Sequence, residues 1–331
     1  MKKIITILMA MTMILTACSG GNTKVNTETK TTEEKTTEEF KIGIVQYIEH
    51  PALDAARDGF IKGLEDAGVK ANIDVKSAQA DIGVARTISE KFVSDGVDLI
   101  FAIATPAAEA AVGATSEIPI LFSAVTDPVA AHLVESNENP GGNVTGTSDI
   151  VDIESQLKLF KEINPDIKKI GIVFSADEIN SQTQVEMVEE LIPNLGLELE
   201  VMSIQNISDL PQVAESLTSK VDGVYMLSDN KIASSVSLLA DVLVENKKPL
   251  VGAEEAHIEG GGLISNGISY FGIGEQAGVM AKKILVDGIN PGEIPVESSH
   301  TITKIVNRET LKALGLDENL KAFEGAEFIG E

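Results

Sequence analysis

The sequence predicts an α/β protein of two doubly wound, parallel-sheet lobes joined by a multi-crossover hinge, and three observations support this prediction. The run KIGIV at residues 41–45 recurs letter for letter at 169–173, and each copy is a short apolar segment typical of a buried strand. Strand-like and helix-like segments alternate after each copy, which favours right-handed crossovers and parallel sheets. Aromatic residues make up 4% of the 331 residues, so the cores must consist of Ile, Val, Leu and Ala.

The first half of the chain alternates between strand-like and helix-like segments. We expect strands at residues 41–46, 72–75, 97–103 and 118–122, and helices at 52–67, 82–94 and 105–115. A turn at 139–143 (NPGGN) then precedes an extended segment at 144–148, which leads out of this half.

The second half repeats this order, and similar offsets between matching elements favour a duplicated unit. We expect strands at 169–174, 197–202, 223–227 and 249–252, and helices at 153–163, 181–191, 210–217 and from after 230 to 245. An extended segment at 263–268, a helix at 273–286, a strand at 302–306 and a closing helix at 307–314 follow. Because the chain continues past the second unit, we expect it to cross back and complete the first. The predicted lobes are residues 40–147 plus 268–297 and residues 148–267 plus 298–331.

The N-terminal residues 1–18 predict a lipoprotein signal peptide. Two lysines precede a short apolar run that ends in LTAC at 15–18, which resembles a bacterial lipobox. We expect Cys18 to be lipidated and to anchor the protein to the extracytoplasmic side of the bacterial cell membrane. An ordinary signal peptide that happens to contain a cysteine is the alternative. Residues 19–39 contain almost no apolar residues, and we predict a disordered tether.

Composition argues against several functional classes. The formal net charge is −25, whereas nucleic-acid binding requires a basic face. Cys18 is the only cysteine, so the mature body has no internal disulfide and no cysteine nucleophile. The four His residues are widely spaced, at positions 50, 132, 257 and 300, and the sequence has no phosphate-loop or dinucleotide glycine pattern. We therefore expect no enzyme activity, no cofactor and no metal.

The loops after the strands are the predicted ligand site, because open parallel sheets bind ligands beyond the carboxyl ends of their strands. Two such lobes form a cleft that closes by hinge motion. Helix starts in these loops suit a carboxylate and acidic side chains suit an ammonium group, so a free amino acid would use both. The alternative for several of these residues is a simple helix N-cap. The predicted ligand-binding residues are Gln46, Tyr47, Glu49, His50, Thr105, Ser123, Asp127, Asn180, Ser181, Asp229, Asn230 and Glu254.

The chain resembles the ABC-transporter substrate-binding lipoproteins of the tryptophan/tyrosine-binding type. The resemblance covers roughly residues 41–316 and is carried by IGIVQ at 42–46, EHPALDAARDGF at 49–60, AIATPAA at 102–108, FSAVTDP at 122–128 and NPGGNVTG at 139–146. It implies a type I periplasmic-binding-protein fold and delivery of an aromatic amino acid to a permease with a cytoplasmic ATPase. It also implies that Thr105 and Ser123 hold one end of the ligand, and that Asp127, Asp229 and Asn230 hold the other.

Two segments depart from the family pattern. The chain has Glu254-Glu255 where relatives commonly carry an Asp-containing loop, and Tyr270-Phe271 where they carry two tyrosines. The identity of the ligand therefore stays open. A ligand-sensing lipoprotein that acts on a receptor kinase and a binding protein for a solute other than an amino acid are the alternatives. We expect a monomer.

Overall fold

A computed structural model of the protein describes residues 39–299 and 301–331. The predicted signal peptide with Cys18, and the predicted tether apart from its last residue, lie outside the described residues. Within the described ranges, no helix is both long enough and apolar enough to cross a membrane.

The strands and helices alternate along most of the described chain. The strands are β1 (Phe40–Gln46), β2 (Ala71–Ser77), β3 (Leu99–Ile103), β4 (Ile120–Val125), β5 (Val144–Ser148), β6 (Lys169–Ser175), β7 (Glu198–Ile204), β8 (Gly223–Met226), β9 (Leu250–Gly252), β10 (Ile264–Ile268), β11 (Glu297–Ser298), β12 (Ile302–Asn307) and β13 (Glu327–Ile329). The α-helices are α1 (Pro51–Asp66), α2 (Ile82–Asp95), α3 (Thr105–Ala114), α4 (Ile153–Ile163), α5 (Ile179–Leu191), α6 (Leu210–Thr218), α7 (Asn230–Ala233), α8 (Val236–Glu245), α9 (Glu255–Glu259), α10 (Tyr270–Leu285) and α11 (Arg308–Leu314).

The first sheet has the strand order β11-β5-β4-β3-β1-β2, and all its pairs are parallel. Phe101 of β3 stacks on Phe60 of α1, with ring centroids 3.8 Å apart, whereas Gly43 of β1 faces Phe92 of α2. Ile44, the residue after Gly43, is the register partner of Phe101, so Gly43 and Phe101 point to opposite faces of the sheet. Helices therefore cover both faces. We call this sheet with α1, α2, α3 and α10 lobe 1.

The second sheet has the order β13-β12-β10-β9-β8-β6-β7. Its pairs are parallel except that β12 runs antiparallel to β10. The chain reaches β12 directly from lobe 1, after its last crossing. No right-handed crossover therefore joins β12 to another strand of its own sheet and makes the two parallel. We call this sheet with its helices lobe 2. The predicted fold class, two doubly wound lobes with mainly parallel sheets, is confirmed.

The chain passes between the lobes three times: after β5, after β10 and after β11. Ser148 ends β5 in lobe 1, Ile268 ends β10 in lobe 2 and Ser298 ends β11 in lobe 1, so each of the three crossings falls one residue beyond the expected position. The lobes are also in direct contact, because Ile179 of α5 and Ala256 of α9 pack against the hydrophobic core of lobe 1.

Helices α1 and α10 pack with their backbones in contact. A Cβ atom on Gly59 would lie 2.1 Å from the carbonyl oxygen of Phe271, and one on Gly274 would lie 2.1 Å from that of Ala56. Only glycine allows this approach, so the two helices form a rigid pair. The chain enters α1 directly after His50 and enters α10 at Tyr270, so the pair fixes the positions of both side chains.

Three elements differ from the sequence predictions. The predicted helix up to residue 245 is divided into α7 and α8, and the Ser234 hydroxyl at the break donates to the carbonyl oxygen of Lys231. Helix α9 replaces a predicted loop after β9. The prediction that a helix at 307–314 closes the fold is wrong, because β13 follows and pairs with β12.

Candidate functional site

The cleft between the lobes contains a small, partly open space, which we call the cleft cavity. The loops after β1, β4, β5, β8 and β9 and the first turns of α5, α7 and α10 supply most of its wall. The lining residues are His50, Leu53, Ala124, Thr126, Asp149 and Tyr270 from lobe 1, and Asn180, Ser228, Asp229, Asn230, Ala233 and Glu254 from lobe 2. Because most of these side chains are polar, the cavity suits a small polar ligand held by both lobes.

Several buried polar atoms at the cleft cavity have no hydrogen-bond partner among residues 39–299 and 301–331. They are both ring nitrogens of His50, Oδ1 of Asp149, Oδ1 of Asn180 and Oε1 of Glu254, and we call them the unpaired set. The four side chains are at most 6% exposed. A buried polar atom left without a partner costs about 1–3 kcal/mol. Each member of the unpaired set is therefore a position where a polar ligand group would be stabilising.

Two carboxylates of the unpaired set come from different lobes. Asp149 follows β5 in lobe 1, and Glu254 follows β9 in lobe 2. The Tyr270 hydroxyl, at the start of α10, donates to Oδ2 of Asp149 at 2.6 Å and also interacts with the Glu254 carboxyl. Oδ1 of Asp149 and Oε1 of Glu254 belong to the unpaired set, so both can accept from a ligand. Two carboxylate oxygens facing one buried space suit an ammonium group.

Burial affects the two carboxyl groups differently. It raises the pKa of Asp149 to about 6, despite hydrogen bonds from Tyr270 and Thr126 that act in the opposite direction. Burial would also raise the pKa of Glu254, but His257, and then His50 and Tyr270, outweigh it and lower the pKa below its usual value. Nε2 of His257 lies 2.9 Å from Oε1 of Glu254, although the direction of this contact does not make a hydrogen bond.

His50 connects β1 to α1 and is 6% exposed. Burial lowers the pKa of its ring, and the nearby His257 acts in the same direction, whereas Glu254 and Asp54 raise it. A neutral imidazole has one nitrogen that donates and one that accepts. His50 therefore offers one hydrogen bond of each kind, to a ligand in the cleft cavity or to Asn230, whose side chain also raises the pKa of the ring.

A second acidic pair, Glu178 and Asp229, lies in lobe 2 and is saturated by its own lobe. Oδ2 of Asp229 accepts from the Ser175 amide at 2.6 Å and from the Ser181 hydroxyl at 2.8 Å. Oδ1 accepts from the Ser175 hydroxyl at 2.8 Å and from the Ile232 amide at 2.9 Å, which makes Asp229 the N-cap of α7. The carboxylate therefore holds β6, α5 and α7 together.

Glu178 is fully buried beside Asp229. Its carboxyl accepts from the amide and the side-chain nitrogen of Asn230, at 3.1 and 2.6 Å, and from the Lys231 amide at 3.2 Å. Burial, and then the charge of Asp229, raise the pKa of Glu178 to about 8, so this carboxyl holds a proton at neutral pH. In the described part of the chain, no group of three or more His, Cys, Asp or Glu side chains could hold a metal ion.

Five of the predicted ligand-binding residues line the cleft cavity: His50, Asn180, Asp229, Asn230 and Glu254. Four others are buried but bonded within their own lobes. Gln46 donates to the carbonyl oxygen of Ile48 and to Asp54, the Tyr47 hydroxyl donates to the carbonyl oxygen of Ala80, Ser123 accepts from Thr147, and Ser181 donates to Asp229.

The remaining three predicted residues lie outside the wall of the cleft cavity. Thr105 is 2% exposed at the start of α3, and its hydroxyl lacks a hydrogen-bond partner in the described ranges. Asp127 accepts from the Val129 and Ala130 amides and thereby caps a turn, whereas the alternative expected for such residues was a helix N-cap. Glu49 is exposed to solvent.

Sequence reasoning missed Asp149 and Tyr270 in the wall of the cavity. The rule that selects loops after strands applies to Asp149, which follows β5 directly, but β5 was interpreted only as the segment leading out of the first half. Helix α10 was predicted to begin at residue 273 and begins at Tyr270, so this tyrosine was not recognised as the first residue of a helix facing the cleft.

Comparison with known proteins gives a family and several close relatives. The family model for ABC transporter substrate binding proteins matches residues 41–323. A tyrosine-binding protein from Clostridioides difficile (strain R20291) is 41% identical over 325 residues, which cover 96% of this chain and 93% of that protein.

Two solved structures differ in how well they superpose. The ABC domain in complex with L-Trp from Streptococcus pneumonia is 33% identical, with a TM-score of 0.85, and the match covers 88% of this chain and all of that one. The ligand-free, open structure of a substrate binding protein with adhesive properties from Clostridium difficile is 42% identical but has a TM-score of 0.68, with 88% and 99% covered. The more similar of the two sequences therefore superposes less well.

Proposed function

Since the chain belongs to the family of ABC transporter substrate binding proteins, we propose that it binds an aromatic amino acid in the cleft cavity and delivers it to an importer. The observation that carries the proposal is the pair of carboxylate oxygens, Oδ1 of Asp149 and Oε1 of Glu254, which belong to the unpaired set and come from opposite lobes. The relatives named for tyrosine binding and for an L-Trp complex support the ligand class.

The α-ammonium group of the ligand binds between Asp149 and Glu254. An ammonium group supplies three donors and one positive charge, which match two buried carboxylates. Because the two carboxylates belong to different lobes, the group attracts both lobes at once. Ligand binding and closure are therefore coupled: the closed form gains a contact that neither lobe offers alone.

The α-carboxylate binds toward the start of α3. The first amides of a helix have no partner within the helix, and they favour negative charge. The Thr105 hydroxyl lies outside the wall of the cleft cavity and has no bond to any residue of the described ranges, so it is a further donor for a carboxylate that extends beyond the cavity toward this helix. Ala104 turns the chain into the helix with φ of 81°, a left-handed conformation that alanine rarely adopts and that often marks a functional site.

Titration calorimetry with L-tyrosine, L-tryptophan, L-phenylalanine and L-leucine tests the ligand class. We expect the aromatic amino acids to bind and 3-(4-hydroxyphenyl)propanoic acid, which lacks the ammonium group, to bind about 100-fold more weakly than L-tyrosine. Equal binding of this analogue would refute the ammonium site. Tighter binding of a sugar or nucleoside would instead favour the alternative of a non-amino-acid ligand.

The protein acts outside the cytoplasm, anchored through a lipid on Cys18, as a non-enzymatic monomer that docks on a permease with a cytoplasmic ATPase. Loss of aromatic amino-acid uptake in a deletion strain separates this importer role from a receptor-kinase sensor. We expect Cys18→Ser to move the protein from the membrane fraction to the soluble fraction, because one thioether-linked lipid group is then missing. The control variant Thr23→Ala should stay with the membrane. Sedimentation of Cys18→Ser with the membrane contradicts the lipid anchor.

A further inference from the structure

The Tyr270 hydroxyl is the only hydroxyl described at the cleft cavity that interacts with a carboxyl group from each lobe. It donates to Oδ2 of Asp149 at 2.6 Å and interacts with the Glu254 carboxyl. Tyr270 is 7% exposed. Burial and the two carboxylates raise the pKa of its hydroxyl well above the usual value, so it keeps its proton and acts as a donor.

The backbone fixes the position of this hydroxyl. The chain crosses from β10 of lobe 2 into α10 at Ser269, whose hydroxyl accepts from the Gly272 amide at 3.1 Å and caps the helix. The close glycine contacts between α1 and α10 leave no room for α10 to shift relative to α1. Tyr270 therefore moves with lobe 1 and meets Glu254 only when the lobes are together.

A single hydroxyl proton cannot satisfy two carboxylates. The bond at 2.6 Å gives the proton to Asp149, so Tyr270 presents only the lone pairs of its phenol oxygen to Glu254, whose Oε1 also lies 2.9 Å from Nε2 of His257. Two carboxylates in one buried space also repel each other. A ligand ammonium group resolves both deficits, because it brings positive charge and donors to the remaining oxygens.

We propose that Tyr270 is a positioning residue that holds Asp149 of lobe 1 in place against Glu254 of lobe 2, so that the closed cleft receives an ammonium group. This role rests on the proposed function. Tyr270 sets the direction of the Asp149 carboxylate and keeps it ionised, whereas the ligand contacts are made by the two carboxylates. The hydroxyl thus links recognition of the amine to the closed arrangement of the lobes.

The pH dependence of binding follows from the ionisation of Asp149. Asp149 faces Tyr270 from α10, Glu254 from the loop after β9 and the uncharged Thr126 from the loop after β4. Behind Glu254 lie His257 of α9 and His50 before α1, and Asp54 of α1 lies near His50. A carboxylate binds an ammonium group only when it is ionised, so affinity falls as pH falls through the pKa of Asp149 in the free protein. Loss of the Tyr270 hydrogen bond raises that pKa, so the fall begins at higher pH.

Tyr270→Phe, compared with Tyr225→Phe, tests the proposal on the full mature protein. Tyr225 is a fully buried tyrosine in β8 whose hydroxyl has no partner within the described ranges, so it matches Tyr270 in burial but not in contacts. Affinity for L-tyrosine is measured by calorimetry from about pH 5 to about pH 8, around the usual range of a raised carboxyl pKa. Thermal unfolding of each variant reports whether the fold is intact.

We expect Tyr270→Phe to weaken binding by about tenfold at neutral pH and to move the midpoint of the pH dependence upward by about one unit. Tyr225→Phe should change neither. An equal loss of affinity at every pH, with an unchanged midpoint, overturns the proposal. It would mean that the hydroxyl only fills space in the cleft and does not affect the ionisation of Asp149. An unchanged affinity overturns it as well.

A second measurement separates failure of this proposal from failure of the proposed function. Carboxyl ¹³C NMR, with Asp149 assigned through Asp149→Asn, follows the titration of Asp149 in the free protein. A higher midpoint in Tyr270→Phe supports the positioning role even if no aromatic amino acid binds, which would overturn only the ligand class. An identical midpoint in both proteins overturns the positioning role whatever the ligand.

Discussion

Two pairs of buried acidic residues lie near the cleft cavity, and they differ in how their oxygens are used. Asp229 and Glu178 in lobe 2 accept hydrogen bonds from serine, asparagine and main-chain groups of the same lobe. Asp149 and Glu254 belong to opposite lobes, and each contributes an oxygen to the unpaired set. Burial is the same in both pairs, so it does not separate a structural carboxylate from a ligand-binding one.

The number of partners within the protein separates the two pairs. A saturated carboxylate gains little from a ligand, since its lone pairs already accept hydrogen bonds from the protein. Removing such a carboxylate by mutation leaves several donors unsatisfied. A buried carboxylate with an unpaired oxygen destabilises the empty site, and a bound ammonium group removes this destabilisation. We therefore expect the first pair to control stability and the second to control affinity.

Asp229→Ala should produce the largest effect, and the effect should be on stability. The substitution leaves two amides and two hydroxyls without an acceptor and removes the N-cap of α7, which together cost about 3–5 kcal/mol. At about 2–4 °C per kcal/mol, the thermal midpoint falls by roughly 10 °C. A stable variant with only weakened ligand binding would break the distinction, because Asp229 would then act as a ligand carboxylate.

Asp149→Asn should have the next largest effect, and here the loss is in affinity. The amide keeps the shape and an acceptor for the Tyr270 hydroxyl, but it removes the charge that attracts the ammonium group. We expect affinity for L-tyrosine to fall about 100-fold by calorimetry, within the 2–5 kcal/mol typical of a truncated buried ion pair. The thermal midpoint without ligand should stay the same or rise, since repulsion with Glu254 is relieved. A large drop in that midpoint at unchanged affinity would reverse the assignment of the two pairs.

The sequence was sufficient for the fold because the fold depends on patterns within single segments. Apolar runs such as KIGIV and their alternation with amphipathic helices predict the two lobes, and the resemblance to a family gives the crossovers. The direction of β12 and the presence of β13 could not be predicted in this way. Both depend on which edge of the second sheet is still free when the chain returns from lobe 1.

The site was predictable only in part. Whether the oxygens of a carboxylate already accept hydrogen bonds within the protein depends on residues far apart in the sequence. Asp229 follows β8 and Glu254 follows β9, so both are acidic residues in a loop after a strand and look alike in the sequence. Asp229, however, meets Ser175 and Ser181, which lie 54 and 48 positions away. Glu254 instead lies 2.9 Å from His257 of its own lobe and also interacts with Tyr270 and His50 of lobe 1. Such differences follow from tertiary packing, which periodicity and motif spacing do not report.

Glu178→Gln should have the smallest effect, and its sign depends on pH. Because the pKa of Glu178 is raised from 4.5 to about 8, the folded protein binds a proton that the unfolded chain releases between these values. The stabilisation by this proton is complete at low pH and is lost as pH rises through about 8. Glutamine mimics the protonated form and keeps the bonds to Asn230. We expect chemical denaturation to show less than about 1 kcal/mol of change at pH 6 and a variant more stable than the wild type at pH 9, with affinity unchanged. Destabilisation of the variant that is greatest at high pH would contradict this prediction, because it would mean that Glu178 is ionised in the folded protein. Two ionised carboxylates side by side would then need a neighbouring cation.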